Sequence, residues 1–278
     1  MRGFIRILAA AAALGWAAVS GQAMAQAVVS NGQSFVQGRL LPGAVQEDGT
    51  RLAGLRLTMK DGWKTYWRTP GEAGIPPTFD WSASKNVASV RMLWPRPVVF
   101  SSFGMQTIGY AGRVVLPMVV TPKDSSLPIH LALTADLGVC KDICVLERFD
   151  LSETIEVDQR AIGVGQITRS HDTVPPVGSA AGVQRATCRI VGAGKKRTLD
   201  LQLAFDKPLA DPVVVLESKP GVWFSGIETR QIDASTVGVK ANVSLASDKT
   251  WITRQDLRVT VLAKRYAADI HGCKAPAG

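Results

Sequence analysis

The stretch IHLALTADL, residues Ile129 to Leu137, has an apolar side chain at every second position. Successive side chains of a β-strand point to opposite faces, so this alternation predicts a strand with one buried face. Six other segments are β-branched or alternate in the same way, and Gly, Pro, Asp and Asn residues separate them. They are Val87–Trp94, Arg113–Val120, Arg197–Phe205, Pro212–Glu217, Thr236–Leu245 and Asp256–Ala263. The sequence therefore predicts an all-β protein.

One segment divides these predicted strands into two groups. DTVPPVGSAAG, Asp172 to Gly182, lacks apolar periodicity and contains a Pro-Pro pair, which is typical of a linker. We predict a first β domain over residues 26–160, a linker over 161–182 and a second, smaller β-sandwich domain over 183–278. Closely spaced short strands favour an immunoglobulin-like β-sandwich for the first domain. A single continuous sandwich is the alternative, and only Ile162–Ser170 could hold a short helix.

The first 25 residues have the features of a secretory signal peptide. Two arginines precede an apolar run from Ile7 to Val19, and Ala23-Met24-Ala25 follows it. We expect cleavage after Ala25. The apolar run is shorter than the roughly 20 residues that a membrane span needs, and no later segment is long and apolar enough. The mature protein is therefore expected to be exported and not stably inserted in a membrane.

Charge and motifs exclude several classes of function. The formal net charge is +9, but the basic residues are scattered and Lys195–Arg197 is the one run of three, after the glycines of a predicted turn. That run is interpreted as a solvated turn, and an exported protein is not expected to meet nucleic acid. The chain has no G-x-S-x-G, no Walker sequence and no H-E-x-x-H, so nothing indicates a hydrolase or a nucleotide-dependent enzyme.

Four cysteines in an exported chain suggest up to two disulfides. Cys188 lies early in the second predicted domain and Cys273 near its end, so a structural disulfide between them would tether the terminus. His271 lies close to Cys273, but one His and one Cys do not make a metal site. We predict no metal site and no cofactor.

Cys140 and Cys144 form a C-x3-C pair whose spacing alone is not specific. On a straight strand their Cα atoms would be about 13 Å apart, whereas a disulfide needs roughly 4.4–6.8 Å. If they bond, the chain must reverse at Lys141–Ile143 or coil into one helical turn. The ring that such a disulfide closes would be too small to stabilise the fold much, which favours a chemical role over a structural one. An inert local disulfide, a redox pair and a Cu(I) site assisted by Met105 remain alternatives on these residues.

Three segments together carry a resemblance to a known family. They are DGWKTYWRTPGEAGIPPTFDW (Asp61–Trp81), WPRPVVFSSFGMQTIGYAGRVVLPMVV (Trp94–Val120) and ADLGVCKDICVLERFDL (Ala135–Leu151). They resemble the amino-terminal periplasmic domain of the disulfide reductase DsbD family, above all its ScsB-like relatives associated with copper tolerance. The resemblance covers about Val28 to Val157, and the remainder is similar to the second β domain of longer relatives.

The resemblance implies a specific function. It implies an immunoglobulin-like fold and a thiol-disulfide oxidoreductase of the protein-disulfide reductase type, with Cys140 and Cys144 as the redox pair. Cys144 would form the mixed disulfide with a partner, while Phe103 and Tyr110 would shield the pair. Electrons would come from a separately encoded membrane thiol transporter and pass to thioredoxin-fold proteins in the periplasm. Better-known members have five residues between the cysteines, whereas this chain has three.

The aromatic residues of Asp61–Trp81 are interpreted as packing rather than as a binding surface, because large aromatic side chains dominate burial. They are Trp63, Tyr66, Trp67 and Trp81. The segment Thr69–Pro77 is predicted to be a loop, since its Gly and Pro residues set the backbone. Glu72 in this loop faces either a partner or water.

Overall fold

The computed structural model describes residues 34–102 and 105–276. The predicted signal peptide therefore lies outside the described residues. Within them the fold is all-β, as predicted, and no helix in the described part of the chain is long and apolar enough to cross a membrane. The strands of the first half are β1 (Val36–Val45), β2 (Arg51–Met59), β3 (Lys64–Gly71), β4 (Thr78–Asp80), β5 (Val87–Met92), β6 (Val98–Ser102), β7 (Met105–Ala111), β8 (Arg113–Pro122), β9 (Ile129–Cys140) and β10 (Cys144–Ile155).

These ten strands form a first sandwich of two antiparallel sheets. One sheet has the order β1-β2-β8-β5, and the other has the order β10-β9-β3-β7-β6 with β4 paired to β9. The structure confirms the alternation that predicted β9: every second side chain from Ile129 to Leu137 is buried in the core, while the four residues between them are partly exposed. Each such side chain contributes about 1.5–3 kcal/mol through burial. Trp67 of β3, fully buried, joins the same core, which confirms its interpretation as packing.

The second sandwich begins after residue 182. Its sheets have the orders β11-β12-β15-β14 and β13-β16-β17. The strands are β11 (Val183–Ala193), β12 (Lys196–Phe205), β13 (Val213–Glu217), β14 (Val222–Asp233), β15 (Thr236–Leu245), β16 (Arg258–Ala263) and β17 (Tyr266–His271). Cys188 of β11 is disulfide-bonded to Cys273, with Cα atoms 5.7 Å apart. This bond ties the first strand of the second sandwich to the segment after its last strand.

The segment between the sandwiches forms helical turns rather than an extended linker. It contains helix α1 (Val164–His171), close to the position where a short helix was expected, and a 3₁₀ helix at Gly178–Ala181. Ile167 of α1 is 1 % exposed and packs on the outer face of the β1-β2-β8-β5 sheet. A Cβ on Gly54 would lie 3.0 Å from Ile167 Cγ1, so glycine at this position lets the helix pack closely against the sheet. The helix belongs with the first sandwich, and the predicted domain boundaries stay a prediction.

The two sandwiches contact each other through β3 and β13. The Arg68 side chain lies over the Trp67 ring, 3.7 Å from its centroid, and donates to both carboxylate oxygens of Glu217. Val215 and Leu262 of the second sandwich extend the core cluster of the first. A charged contact at β3, the strand that contains Tyr66, and an apolar contact with the core therefore both hold the second sandwich against the first.

Candidate redox site

Strands β9 and β10 form a hairpin, and its turn brings Cys140 and Cys144 together. The two cysteines face each other in the antiparallel register, with Cα atoms 4.1 Å apart, and are disulfide-bonded. The chain reverses at Lys141–Ile143, where the Lys141 N–H donates to the Ile143 carbonyl at 3.0 Å. Of the two geometries that the spacing allowed, the reversal is the one that forms. The turn keeps both sulfurs at one end of the first sandwich.

The two sulfur-bearing residues differ in exposure. Cys140 ends β9 and is 2 % exposed, whereas Cys144 begins β10 and is exposed. Ile143 and Leu146 beside Cys144 are each 66 % exposed. An incoming thiol can therefore approach Cys144 but not Cys140, and it meets apolar side chains as it does so.

Tyr66 contacts both sulfurs. Its hydroxyl donates to Cys140 Sγ at 2.9 Å and lies 3.7 Å from Cys144 Sγ. Lys64 of β3 pairs with Cys140, so Tyr66, two residues further on, points to the same face of the sheet. Burial raises the pKa of the Tyr66 phenol above its usual value of 10.0, so the hydroxyl keeps its proton at neutral pH. A buried, protonated donor is thus directed at the pair.

Sequence reasoning treated Tyr66 as packing only and missed this hydrogen bond. The tyrosine is indeed buried, at 3 % exposure. The position of Tyr66 in its strand could have indicated this second role. A residue two positions away from the residue that pairs with a cysteine points to the same face of the sheet as that cysteine. That pairing is visible only once the register of β3 against β9 is known.

The Thr69–Pro77 segment packs over Tyr66 and the hairpin. A Cβ on Gly138 would lie 2.6 Å from Ile75 Cβ and 3.2 Å from Tyr66 Cδ2, so only glycine admits this approach. The Glu72 carboxylate accepts the Gln106 N–H at 2.7 Å, and the Glu72 N–H donates to the Gln106 carbonyl at 2.9 Å. The two hydrogen bonds of Glu72 therefore hold this segment against β7.

The structure describes only one of the two residues that were predicted to shield the cysteine pair. Phe103 lies outside the described residues. Tyr110 is 6 % exposed, and its hydroxyl donates to the Pro95 carbonyl at 2.8 Å. It pairs with Thr65, which also pairs with Val139, so Tyr110 points into the core, on the face opposite to Cys140. Its shielding role stays a prediction.

Metal ligands were sought across residues 34–102 and 105–276. Within these ranges no three His, Cys, Asp or Glu side chains gather as a metal site would require. His271 lies 3.4 Å from Asp269, and Cys273 is bonded to Cys188. Met105, at 44 % exposure, follows the undescribed pair of residues before β7.

Comparisons with known proteins agree with this geometry. The model of the family described as "Thiol:disulfide interchange protein DsbD, N-terminal" matches residues 37–155, which include β2 to β9 entirely and both cysteines of the hairpin. No curated protein matches the chain significantly.

The N-terminal periplasmic domain of ScsB from Proteus mirabilis has a similar structure. It matches with a TM-score of 0.65 at 22% sequence identity, over 90% of this chain and 97% of that one. At this identity the match shows a common fold through both sandwiches. The family match carries the assignment: residues 37–155 form an amino-terminal domain of the DsbD thiol:disulfide interchange family.

Proposed function

We propose that this protein relays reducing equivalents by thiol-disulfide exchange through Cys140 and Cys144. The observation that carries the proposal is the asymmetry of the pair: one sulfur is exposed at the hairpin turn, and the other is buried beneath a phenol. An exchange protein needs one sulfur that a partner can reach and a second that resolves the mixed disulfide. A purely structural disulfide has no such requirement.

The exchange runs in two steps. In the reduced protein the Cys144 thiolate attacks a partner disulfide, forming a mixed disulfide and releasing one partner thiolate, which takes up a proton. Cys140 then loses its proton and attacks Cys144 Sγ, so the intramolecular disulfide forms and the second partner thiolate leaves. Two electrons pass to the partner, and the pair must then be reduced by a donor dithiol through the reverse sequence.

Tyr66 contributes to the resolving step. Its hydroxyl donates to Cys140, and a hydrogen bond to a charged acceptor is stronger than one to a neutral sulfur. The phenol therefore stabilises the thiolate that resolves the mixed disulfide. It also holds Cys140 in the position from which it reaches Cys144.

The surface around Cys144 is suited to a protein partner. Ile143 and Leu146 are mostly exposed, and Ile75 is 38 % exposed on the loop that packs against the hairpin. We propose thioredoxin-fold proteins as the acceptors and a separately encoded membrane thiol transporter as the donor, following the family to which residues 37–155 belong. These partners imply that the protein works in the periplasm after export.

Alkylation mapping under graded reductant tests the redox role. The protein is equilibrated with increasing dithiol, quenched with an alkylating agent and digested, and each cysteine is then quantified by mass spectrometry. We expect Cys140 and Cys144 to be modified at reductant concentrations that leave Cys188 and Cys273 bonded. If both disulfides resist reduction equally, the relay is wrong.

Trapping of a mixed disulfide tests the assignment of the attacking sulfur. Cys140→Ser leaves Cys144 as the exposed thiol and should accumulate a covalent complex with an oxidised thioredoxin-fold protein. Cys144→Ser is the matched control, and its buried Cys140 should give little complex. Equal trapping by both variants would contradict the assigned roles. Tight anaerobic Cu(I) binding that Cys140→Ser abolishes, without any trapped complex, would instead support the copper-handling alternative.

A further inference from the structure

Four arginines line one groove on the first sandwich. The groove is open to solvent and has a volume of about 660 Å³. It lies beside α1, between residues of β2 and β8 in one sheet and residues of β6 and β7 in the other. Its arginines are Arg56 of β2, Arg96 of the segment after β5, Arg113 of β8 and Arg169 of α1. None of them belongs to the redox pair. Arg96 also borders a cavity lined by Asp206 and Tyr266 of the second sandwich, but that junction does not account for the convergence of the other three.

The sheet register explains how these side chains meet. Arg56 pairs with Val115 across β2 and β8, and Arg113 lies two residues from Val115, so both arginines point to the outer face. Diagonal neighbours of this kind have Cβ atoms roughly 7–8 Å apart or less. Arg39 of β1 stands directly opposite Arg56 and adds a fifth cation to the same face. Helix α1 packs on this face of the sheet, and its Arg169 therefore also lines the groove.

No carboxylate lines this groove. Among the described residues, the four groove arginines make no ion pair with any acidic side chain. Asp172 and Asp206 line a neighbouring cavity, which shares Arg96 and Thr173 with the groove. Like charges held side by side on a sheet destabilise it, and a cleft lined by charges of one sign concentrates counter-ions. Arg96, Arg113 and Arg169 are exposed, so water screens their mutual repulsion, but no acidic side chain of the groove neutralises them and the groove attracts anions.

We propose that this groove binds a polyanion of the phosphate type. A carboxylate carries one charge and is satisfied by one guanidinium fork, whereas a phosphate offers more oxygens and charge to several arginines at once. Gln166, Ser170 and Thr173 supply further polar groups along the wall. The volume of the groove exceeds that of a single phosphate and lies in the range of small-ligand sites, so it has room for two or more anionic groups or an attached organic body.

The wall of the groove also has an apolar part. Val98 is 53 % exposed, and Val114, Pro95 and the buried Tyr110 complete this side. Such a wall suits the organic part of a phosphate ester. Two sources share this chemistry, a soluble polyphosphate or phosphate ester and the headgroup of an anionic phospholipid, and the groove would recognise the phosphate in either.

Binding measurements on the whole protein test the proposal. Inorganic pyrophosphate is titrated by calorimetry at low salt, and vesicles of phosphatidylglycerol are compared with vesicles of phosphatidylcholine by sedimentation. Arg113→Gln combined with Arg169→Gln removes two groove cations. Arg91→Gln combined with Arg189→Gln removes two exposed arginines elsewhere and keeps the same net charge. Each lost charge-assisted contact should weaken binding by about tenfold or more, so the groove variant should bind at least tenfold more weakly than the control variant.

The outcomes separate the possible ligands. Pyrophosphate binding that only the groove variant loses supports a soluble ligand, and an additional groove-dependent preference for phosphatidylglycerol vesicles supports a headgroup. The proposal is wrong if both double variants weaken binding equally, or if neither pyrophosphate nor anionic vesicles bind. It is also wrong if a polyglutamate peptide binds at the groove while phosphate ligands do not, because an acidic protein surface would then be the partner. Circular dichroism of each variant shows whether it remains folded.

Discussion

Removal of the Glu217 carboxylate should strongly destabilise the protein. Arg68 Nε donates to Glu217 Oε1 at 3.0 Å and Arg68 Nη2 to Glu217 Oε2 at 2.9 Å, and the Thr69 hydroxyl donates to Oε1 at 2.7 Å. The two charged side chains are only 12% and 18% exposed. In Glu217→Ala the guanidinium stays buried and keeps its hydrogen bond to Thr260, with the Asp269 carboxylate as its remaining acidic neighbour on the second sandwich. Burial already lowers the pKa of Arg68, although Glu217 opposes this shift, which indicates how costly the buried charge is.

The expected loss in the free energy of unfolding is about 3–5 kcal/mol, the usual cost of leaving one member of a buried ion pair alone. Urea denaturation followed by tryptophan fluorescence measures it. The double variant Arg68→Met with Glu217→Leu is the control, because apolar side chains of similar size often replace a buried pair at little cost. It should recover most of the lost stability.

Two results would refute this reasoning. A loss below about 1 kcal/mol in Glu217→Ala would mean that water solvates the pair as it does at a protein surface. A double variant less stable than Glu217→Ala would mean that the two side chains act independently. Since Arg68 follows Tyr66 by two residues on β3, loosening of this contact should also be visible in the reduction of the Cys140–Cys144 bond.

Three further predictions concern other contacts. Tyr66→Phe removes the donor to Cys140 and should slow the resolution of the mixed disulfide by roughly two- to tenfold in exchange kinetics with an oxidised thioredoxin-fold protein, and an unchanged rate would reduce Tyr66 to packing. Burial alone would raise the pKa of Asp269, but the hydrogen bonds from Arg258 and the positive charges of Arg258 and Arg68 together outweigh it and lower that pKa from its usual value of 3.8. Its stabilisation is therefore present at pH 7 and lost as the pH falls below about 4, so Asp269→Asn should cost about 1–3 kcal/mol at pH 7 and much less at pH 2.5; equal costs at both would be contradictory. Cys188→Ser with Cys273→Ser opens a loop of sequence separation 85 and should cost about 4–5 kcal/mol at most in urea denaturation, whereas an unchanged midpoint would exclude a tethering role.

Much of the fold was predictable because side-chain alternation is local. The pattern at Ile129–Leu137 predicted both a strand and its buried face, and β9 has that face in the core. For a bonded pair the cysteine spacing left two geometries, a reversal at Lys141–Ile143 or one helical turn, since no extended chain could bring the sulfurs together. The resemblance of three segments to the DsbD family was also contained in the sequence, and the family match confirms it. All of these signals come from residues close together in the chain.

Tertiary structure alone decided which distant side chains meet. Tyr66 is 74 residues from Cys140, and Arg68 is 149 residues from Glu217, so no local pattern could pair them. The arginine groove combines strands of one sheet with a helix that the sequence predicted only as part of a linker. Alternation tells which face of a strand is buried, but strand order and register decide what lies opposite that face. Those depend on the packing of the whole sandwich, where a shift of one residue would move every side chain to the other face.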